Sequence, residues 1–496
     1  MKRGATSSAL AKYSTAAALG LAAATAIAAT SRLYAGEWDI EPVLQLEETL
    51  TDNVRVQPDN EEADLISTVS AGLTARGRGR RAQLNLNYLG SYDKYIEADD
   101  LDGLRHRLSG IGSVEVVEDN VFIDSRASIQ ERAVTRSASG PATQRTSGTN
   151  NVRVVNYSVS PYLRNAFGGW AQSELRYRFA QTLFLNTAVG QATGEPNDSV
   201  TNEVLARVDS GRDFTRFNWS LEGEFVRNDP EQDDAFTRRT ARATGQYRID
   251  RGWSPLARIG YEKISDPDIN DDANSGLIWS VGARVTPGPR TLLQAEYGER
   301  FGGENISAEA NYVISPFTTV SASYQESIQT QQSTLVADLS GLVVTDTGLI
   351  IDPATGQILD PSDIDVDLVD SAFEQRRLNI VLTGERGRNL FNASAFAIQR
   401  DFSPGATDET VIGARGQFQR RLSRHTTLNV SANYSATIDS RLPGGEDWIV
   451  RGNIGLDHQL GPGLSGGVAY VLRHQAIESR SNITENVALV NVRKTF

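Results

Sequence analysis

The chain has 496 residues, of which 39% are hydrophobic, with a formal net charge of −13 and no cysteine. The lack of cysteine excludes a disulfide framework, a metal–thiolate site and a thiol nucleophile, and the acidic balance argues against nucleic acid as a partner. No apolar run of 18 residues follows residue 35, so spanning helices are excluded. If the chain crosses a membrane, it must do so as a closed β-barrel, because open sheet edges are not tolerated in lipid.

Residues 1–35 have the pattern of an export signal. Lys2, Arg3 and Lys12 form a positive start, and residues 16–29 form a short, alanine-rich apolar stretch. Cleavage after Ala28 or after Ala35 would both satisfy the small-residue rule. We therefore expect a cleaved signal peptide within 1–35 and a mature barrel, residues 36–496, in the outer membrane of a Gram-negative cell.

From Trp38 onward, stretches of about ten residues alternate polar with apolar side chains. Residues 171–179, 216–225 and 428–434 are clear examples, and strict two-residue alternation predicts β-strands. The apolar face carries many Ala, Gly, Tyr and Ser residues, whereas the polar face carries both Arg and Glu. This composition favours a lipid-facing exterior and a wet interior over the packed core of a soluble sandwich or propeller.

The connections between the stretches fall into two classes, short turns and longer polar loops. Gly, Pro, Asn and Asp are the residues that tight turns need, and alternation of short turns with long loops is the rule of outer-membrane barrels. Ten turns, a first strand near 38–48 and a last strand ending at Phe496 predict an all-β, up-and-down antiparallel transmembrane barrel of about 22 strands (range 18–24). The ten short turns lie at 76–80, 118–120, 168–169, 211–213, 251–252, 287–289, 315–316, 386–388, 422–424 and 461–462.

The longest insertion runs from about 330 to 372 and is polar and rich in aspartate. Within it, Val343–Val344 and Leu349–Ile351 flank Asp346–Gly348 in the pattern of a small hairpin. Loops of this length are usually functional or disordered. The sequence leaves open whether the insertion folds into the lumen or stands above the barrel mouth.

Catalytic and metal-binding patterns are lacking. The four histidines, His106, His425, His458 and His474, fall in different strands, and the surroundings of His106 and His458 are typical of a polar interior. Glu222 and Glu224 share a face and would suit acid–base work, but Arg and Glu recur on nearly every strand, which favours a salt-bridged wall. We predict no enzyme, no catalytic residue, no cofactor and no metal site. The residues predicted to line the lumen are Arg126, Glu174, Arg176, Arg178, Glu222, Glu224, Arg238, Arg242, Arg258, Glu262 and Glu296.

One loop superficially resembles a calcium-binding loop. Asp266, Asp268, Asn270 and the following aspartates supply suitable oxygens. The loop lacks the glycine at the sixth position and the acid at the twelfth, where Leu277 stands. A solvated, acidic extracellular loop is the favoured interpretation.

The amino-terminal quarter resembles a known family. Residues 47–54 (EETLTDNV), 66–73 (ISTVSAGL), 79–88 (GRRAQLNLNY), 114–119 (VEVVED) and 122–124 (FID) are similar to the outer-membrane β-barrel family associated with exosortase (PEP-CTERM) systems, itself similar to the second group of β-barrel porins. The resemblance is strongest over residues 38–130 and continues as architecture to Phe496. It implies a porin-like protein that accompanies exopolysaccharide synthesis, and it supplies no binding residues to transfer.

The last strand points to the same compartment. Ala488, Val490 and Val492 alternate toward a terminal Phe496, which resembles the assembly signal of outer-membrane barrels, although Lys494 interrupts the apolar face. We expect outer-membrane lipid, lipopolysaccharide and the barrel-assembly machinery as partners, together with exopolysaccharide or its export components. The leading function is transport, as a passage or accessory component for surface polysaccharide. The alternatives are a docking barrel that presents acidic loops to polymer or exported proteins, and an outer-membrane hydrolase.

Overall fold

A computed structural model gives the fold of the chain from residue 36 onward. The signal-peptide prediction, residues 1–35, lies outside the described residues. Of the longer polar loops that the sequence places between the short turns, those at 134–151, 186–199, 266–276, 403–409 and 440–447 also lie largely outside the described residues. The structure describes residues 36–133, 143, 151–185, 197–231, 234–266, 275–330, 334–335, 343–344, 350–352, 357–358, 372–402, 408–439, 446–478 and 481–496.

Twenty-two long strands form one closed antiparallel sheet, in which each strand pairs with its neighbours in sequence and β25 pairs with β1. This confirms the predicted up-and-down barrel. The strands are β1 Gly36–Thr51, β2 Asp64–Gly79, β3 Ala82–Tyr95, β4 Gly103–Val117, β5 Val121–Ala133, β6 Asn151–Phe167, β7 Ala171–Leu185, β8 Ser199–Ser210, β9 Phe217–Pro230, β10 Phe236–Tyr247, β11 Trp253–Ser265, β12 Gly276–Gly288, β13 Thr291–Arg300, β14 Gly303–Ser315, β15 Thr318–Thr330, β19 Ala372–Arg386, β20 Asn389–Phe402, β21 Glu409–Arg421, β22 Thr426–Asp439, β23 Asp447–Gly461, β24 Leu464–Ile477 and β25 Ile483–Thr495.

Three short strands form a separate small sheet inside the insertion. They are β16 Val343–Val344, β17 Ile350–Asp352 and β18 Gln357–Ile358. β16 pairs with β17 in an antiparallel hairpin, as predicted, and β18 adds a third strand. A single 3-10 turn, Asp99–Leu101, lies between β3 and β4.

Each strand has a polar face and an apolar face. On β1, Leu44, Leu46 and Leu50 are exposed, whereas Glu47 and Thr49, on the opposite face, are buried. In a barrel that crosses a membrane, an exposed apolar face meets lipid and the opposite face turns inward. We call the exposed apolar face the outer face and the opposite, inward one the polar face. The pairing register assigns the residues of every strand to one face or the other.

The two ends of the barrel differ as expected for outer-membrane proteins. All ten predicted short turns join adjacent strands at one end, which by the general rule is the periplasmic end. The first of them lies at 80–81, because β2 continues to Gly79. At the opposite end one connection is unexpectedly short: Phe301 and Gly302 join β13 to β14, both with positive φ.

Aromatic side chains cluster near the short turns and again toward the loops. The ring centroids of Trp170 and Trp219 lie 5.4 Å apart at the turn end. Those of Trp279 and Tyr297 lie 6.5 Å apart, nearer the loop end. Aromatic girdles at the two interfaces are characteristic of outer-membrane barrels. No helix in the described part of the chain is long and apolar enough to cross a membrane.

Candidate functional site

The polar face of β5–β8 carries a chain of ion pairs. Arg176 contacts Asp124 on β5 (3.0 Å) and Glu174 on its own strand (2.9 Å), and Glu174 also contacts Arg164 (2.8 Å). Because alternate residues of a strand share a face, the sequence folds these charges onto one surface. Arg178 pairs with Glu203 on β8 (2.8 Å), directly across the ladder.

A second chain of ion pairs continues over β8–β10. Glu222 contacts Arg242 and, at 3.8 Å, Arg207. Glu224 contacts Arg238 at 3.2 Å. Opposite charges on neighbouring strands stabilise a sheet by a few tenths to about 1 kcal/mol for each pair, so this wall is held in one geometry by its own side chains.

The third chain lies on β10–β13. Arg258 contacts Glu296 at 3.2 Å, and Arg300 contacts Glu262 at 2.7 Å. Thr240 Oγ1 also donates to Glu262, at 2.9 Å. Ten of the eleven residues predicted to line the lumen are thus brought into these three chains, and Arg126 lies on the same face of β5, opposite Ile111.

Sequence reasoning missed several ion-pair partners of the predicted residues. It also missed a second polar surface, on β20–β24. Asp124, Glu203, Arg207 and Arg300 complete the ion pairs, and the same two-residue alternation would have found them. The polar face of β20–β24 has a different character, rich in amides and hydroxyls with scattered arginines. Its members include Asn392, Arg415, Gln417, Ser431, Asn433, Arg451, Asn453, Arg473 and Gln475.

Two histidines are not on the polar face, contrary to expectation. His106 shares the outer face of β3–β4 with Tyr88, whose hydroxyl lies 2.9 Å from His106 Nδ1. His458 lies on the outer face of β23, 2.9 Å from Thr426 Oγ1. The polar sequence neighbours were misleading because adjacent residues of a strand face opposite sides of the sheet.

The top of the β15–β19 hairpin bends into the barrel. β14 pairs with β15 only as far as Ala308 and Tyr324, although β14 itself continues to Gly303, paired with β13. β15 and β19 continue together up to Thr330 and Ala372. We call residues 325–330 and 372–376 the arm.

The arm lies against the inside of the wall formed by β9–β11. Ile328 and Ala372 pack on Phe236 and Ile264 of the polar face, with Phe301 beside them. Arg238 donates to the carbonyl oxygen of Ile328 at 3.3 Å. The connection between β15 and β19 therefore begins on the inner side of the barrel.

The next described residues continue inward along the wall. Leu335 is 1% exposed and packs on Val152, Val154 and Phe184, which lie on the polar face of β6–β7. The sequence left open whether the insertion enters the lumen, and its described start does. Most of residues 331–371 lie outside the described part of the chain.

The arrangement supports solute contact rather than acid–base chemistry. Each carboxylate of the three chains has a guanidinium partner, which offers fork-shaped donors and acceptors to hydroxyl and carboxylate groups. Within the described residues, no group of three His, Asp or Glu side chains is placed to hold a metal ion. The calcium-like loop, residues 266–277, lies mostly outside those residues.

Comparisons with known proteins support the fold. No protein-family model matches the sequence, and no curated protein matches it. The siderophore receptor PirA from Acinetobacter baumannii is similar in structure, with a TM-score of 0.50 and 9% identity over 92% of this chain and 80% of that one. The ferric enterobactin receptor PfeA from Pseudomonas aeruginosa gives 0.49, with the same identity and coverage. The outer membrane protein opdK from Pseudomonas aeruginosa gives 0.34 and 9% identity, over 92% and 99% of the chains. At such identities the likeness is one of fold, and that fold is the β-barrel of Gram-negative outer-membrane proteins.

Proposed function

We propose that this porin-like barrel is a passage, or an accessory component of a passage, for surface polysaccharide. The observation that carries the proposal is the polar inner wall: three chains of ion pairs on β5–β13 face an amide-rich surface on β20–β24. A 22-stranded barrel is too wide for side chains to fill. Guanidinium, carboxylate and amide groups are the hydrogen-bonding partners that sugar hydroxyls require.

The resemblance of residues 38–130 to exosortase-associated barrels supplies the biological setting of this proposal. In that setting the chain is exported through a signal peptide cleaved after Ala28 or Ala35, is inserted by the barrel-assembly machinery, and works with exopolysaccharide or its export components. It is a carrier rather than an enzyme. If it were instead a hydrolase, substitution of one serine or histidine would abolish an activity on polymer.

Single-channel recording in a planar bilayer tests the proposal. The full mature chain and a chain lacking residues 331–371 are compared, with neutral and acidic oligosaccharides added to either side. We expect conductance, larger in the shortened chain because the insertion begins on the inner wall, and transient block by oligosaccharide. Conductance without any block by sugars would remove polysaccharide as the solute.

A second candidate function is a docking barrel. The connections at the loop end carry 28 acidic residues and 5 arginines, a surface suited to cationic partners or to polymer bridged by divalent ions. No conductance in either form, combined with calcium-dependent retention of polymer on whole cells, would favour this function over the passage.

A further inference from the structure

The outer face of β11–β15 and β19 contains an apolar groove of about 440 Å³. Its floor is made of alanines on adjacent strands, where Ala283 pairs with Ala295, Ala295 lies beside Ala308, and Ala310 pairs with Ala322. Larger side chains bound it: Trp253 of β11 on one flank, Tyr324 and Leu378 of β15 and β19 on the other, and Leu293 of β13 on the side of the turns. This volume falls within the roughly 300–1,000 Å³ of ordinary ligand sites.

The groove lies in the half of the wall nearest the periplasmic turns. Trp253 is the first residue of β11, and its neighbour across the ladder, Val285, lies close to the β12–β13 turn. The site therefore faces the hydrocarbon of the periplasmic leaflet, since the outer face of the barrel meets lipid. An indole at the end of a strand marks the level of the lipid headgroups.

Two arginines lie in the short turns at the periplasmic end of the groove. Arg251 is in the β10–β11 turn, and its carbonyl oxygen accepts a hydrogen bond from Thr286 Oγ1 at the end of β12. Arg290 is in the β12–β13 turn, three residues before Leu293 in the chain. Both side chains are exposed, and neither forms a salt bridge with a described residue. The nearby Asp250 accepts through Oδ1 from the amides of Gly252 and Trp253.

We propose that this groove binds an anionic phospholipid of the periplasmic leaflet. The acyl chain lies over the alanine floor between Trp253 and Tyr324, and the phosphate lies between Arg251 and Arg290. Charge selects the lipid: two guanidiniums without carboxylate partners favour a net anionic headgroup over a zwitterionic one, by roughly fivefold per arginine. This site is independent of the solute that passes through the lumen.

Native mass spectrometry of the full mature barrel tests the proposal. The protein is reconstituted with equal amounts of phosphatidylglycerol and phosphatidylethanolamine, released into detergent, and the retained lipids are counted. We expect the wild-type barrel to retain phosphatidylglycerol preferentially, and Arg251→Gln with Arg290→Gln to lower that preference about 25-fold. The matched control, Arg216→Gln with Arg424→Gln, alters exposed turn arginines away from the groove and should leave it unchanged.

A second pair of variants tests the acyl-chain part. Ala308→Phe fills the floor of the groove, whereas Ala395→Phe adds the same ring at an exposed outer-face position on β20. We expect the first to lose retained lipid and the second to keep it, in barrels shown to be folded by their heat-dependent migration on gels. Equal retention in these two variants, or an unchanged preference in the double arginine variant, would overturn the proposal.

Discussion

Glu262 is a deeply buried carboxylate of the polar face whose guanidinium partner is Arg300. It is 1% exposed, and Arg300 donates to both of its oxygens, from Nε at 3.0 Å and from Nη2 at 2.7 Å. Removing one member of a buried pair leaves an uncompensated charge, at a cost of about 3–5 kcal/mol. We expect Arg300→Gln to lower the free energy of unfolding by that amount in urea titrations of the folded barrel.

A matched control comes from a similar but exposed pair. Arg227 and Asp229 contact each other at 2.7 Å with 53% and 38% of their side chains exposed. Exposed pairs contribute about 1 kcal/mol or less, so Arg227→Gln should change the unfolding free energy little. Equal effects of the two substitutions would show that burial around Glu262 does not matter.

Arg55 joins two loops at the extracellular end. Its guanidinium contacts Asp100 at 2.6 Å and Glu62 at 3.0 Å. The hydrogen bond from Arg55 lowers the pKa of the Asp100 carboxyl below its ordinary value. A lowered pKa means that the contact is fully present above the ordinary pKa of an aspartate and is lost as the pH falls through the lowered value.

This contact predicts a specific titration. In Arg55→Gln, the pKa of Asp100 should rise toward that of a free aspartate, as measured by NMR of the labelled barrel in detergent. Hydrogen exchange of residues 52–63 should accelerate in this variant at neutral pH, as it should in the wild type below the lowered pKa. An unshifted Asp100 resonance would show that the two loops are not joined through Arg55.

At the scale of secondary-structure elements, most of the fold could be predicted from the sequence, but one feature could not. Alternation and turn residues were sufficient to predict 22 strands and all ten short turns, because register in a two-faced sheet is fixed by its own pattern. They could not predict the arm. Its path depends on contacts between elements far apart in sequence, because Ile328 becomes buried only against Phe236 and Ile264. Alternation is enough to place the charged residues on one face, whereas which arginine meets which carboxylate depends on the register between strands.

The absence of cysteine allows the arm to be fixed in place. Asn228 Nδ2 on β9 lies 3.5 Å from Thr330 Oγ1 at the end of the arm. We expect Asn228→Cys with Thr330→Cys to form a disulfide that holds the arm on the wall, and conductance to become steady under oxidation and noisier after reduction. A cysteine pair on continuously paired strands, Ser70→Cys with Ser91→Cys, whose hydroxyl oxygens lie 2.8 Å apart, is the control. A redox effect of the same size in both pairs would show that the arm does not influence conduction.

Over the whole molecule, charge is separated along the barrel axis. The connections at the loop end carry 28 acids and 5 arginines, whereas the ten short turns carry 9 arginines and 4 acids. The two ends thus differ in sign, with net charges of −23 and +5. An acidic mouth concentrates cations and repels anions over about one Debye length, roughly 10 Å at 0.1 M salt and 3 Å at 1 M.

An open barrel of this kind should therefore conduct cations in preference to chloride. In a tenfold KCl gradient, we expect a reversal potential displaced toward the roughly 59 mV limit of a purely cation-selective pore, and less displaced when both solutions approach 1 M. Deleting residues 331–371 removes eight of the 28 acids, so the preference for cations over chloride should fall even as conductance rises. If cation selectivity were unchanged by that deletion, the acids of the insertion would not lie along the path of the ions, and the determinant would be the remaining acids of the loop end or the ion-paired wall of β5–β13.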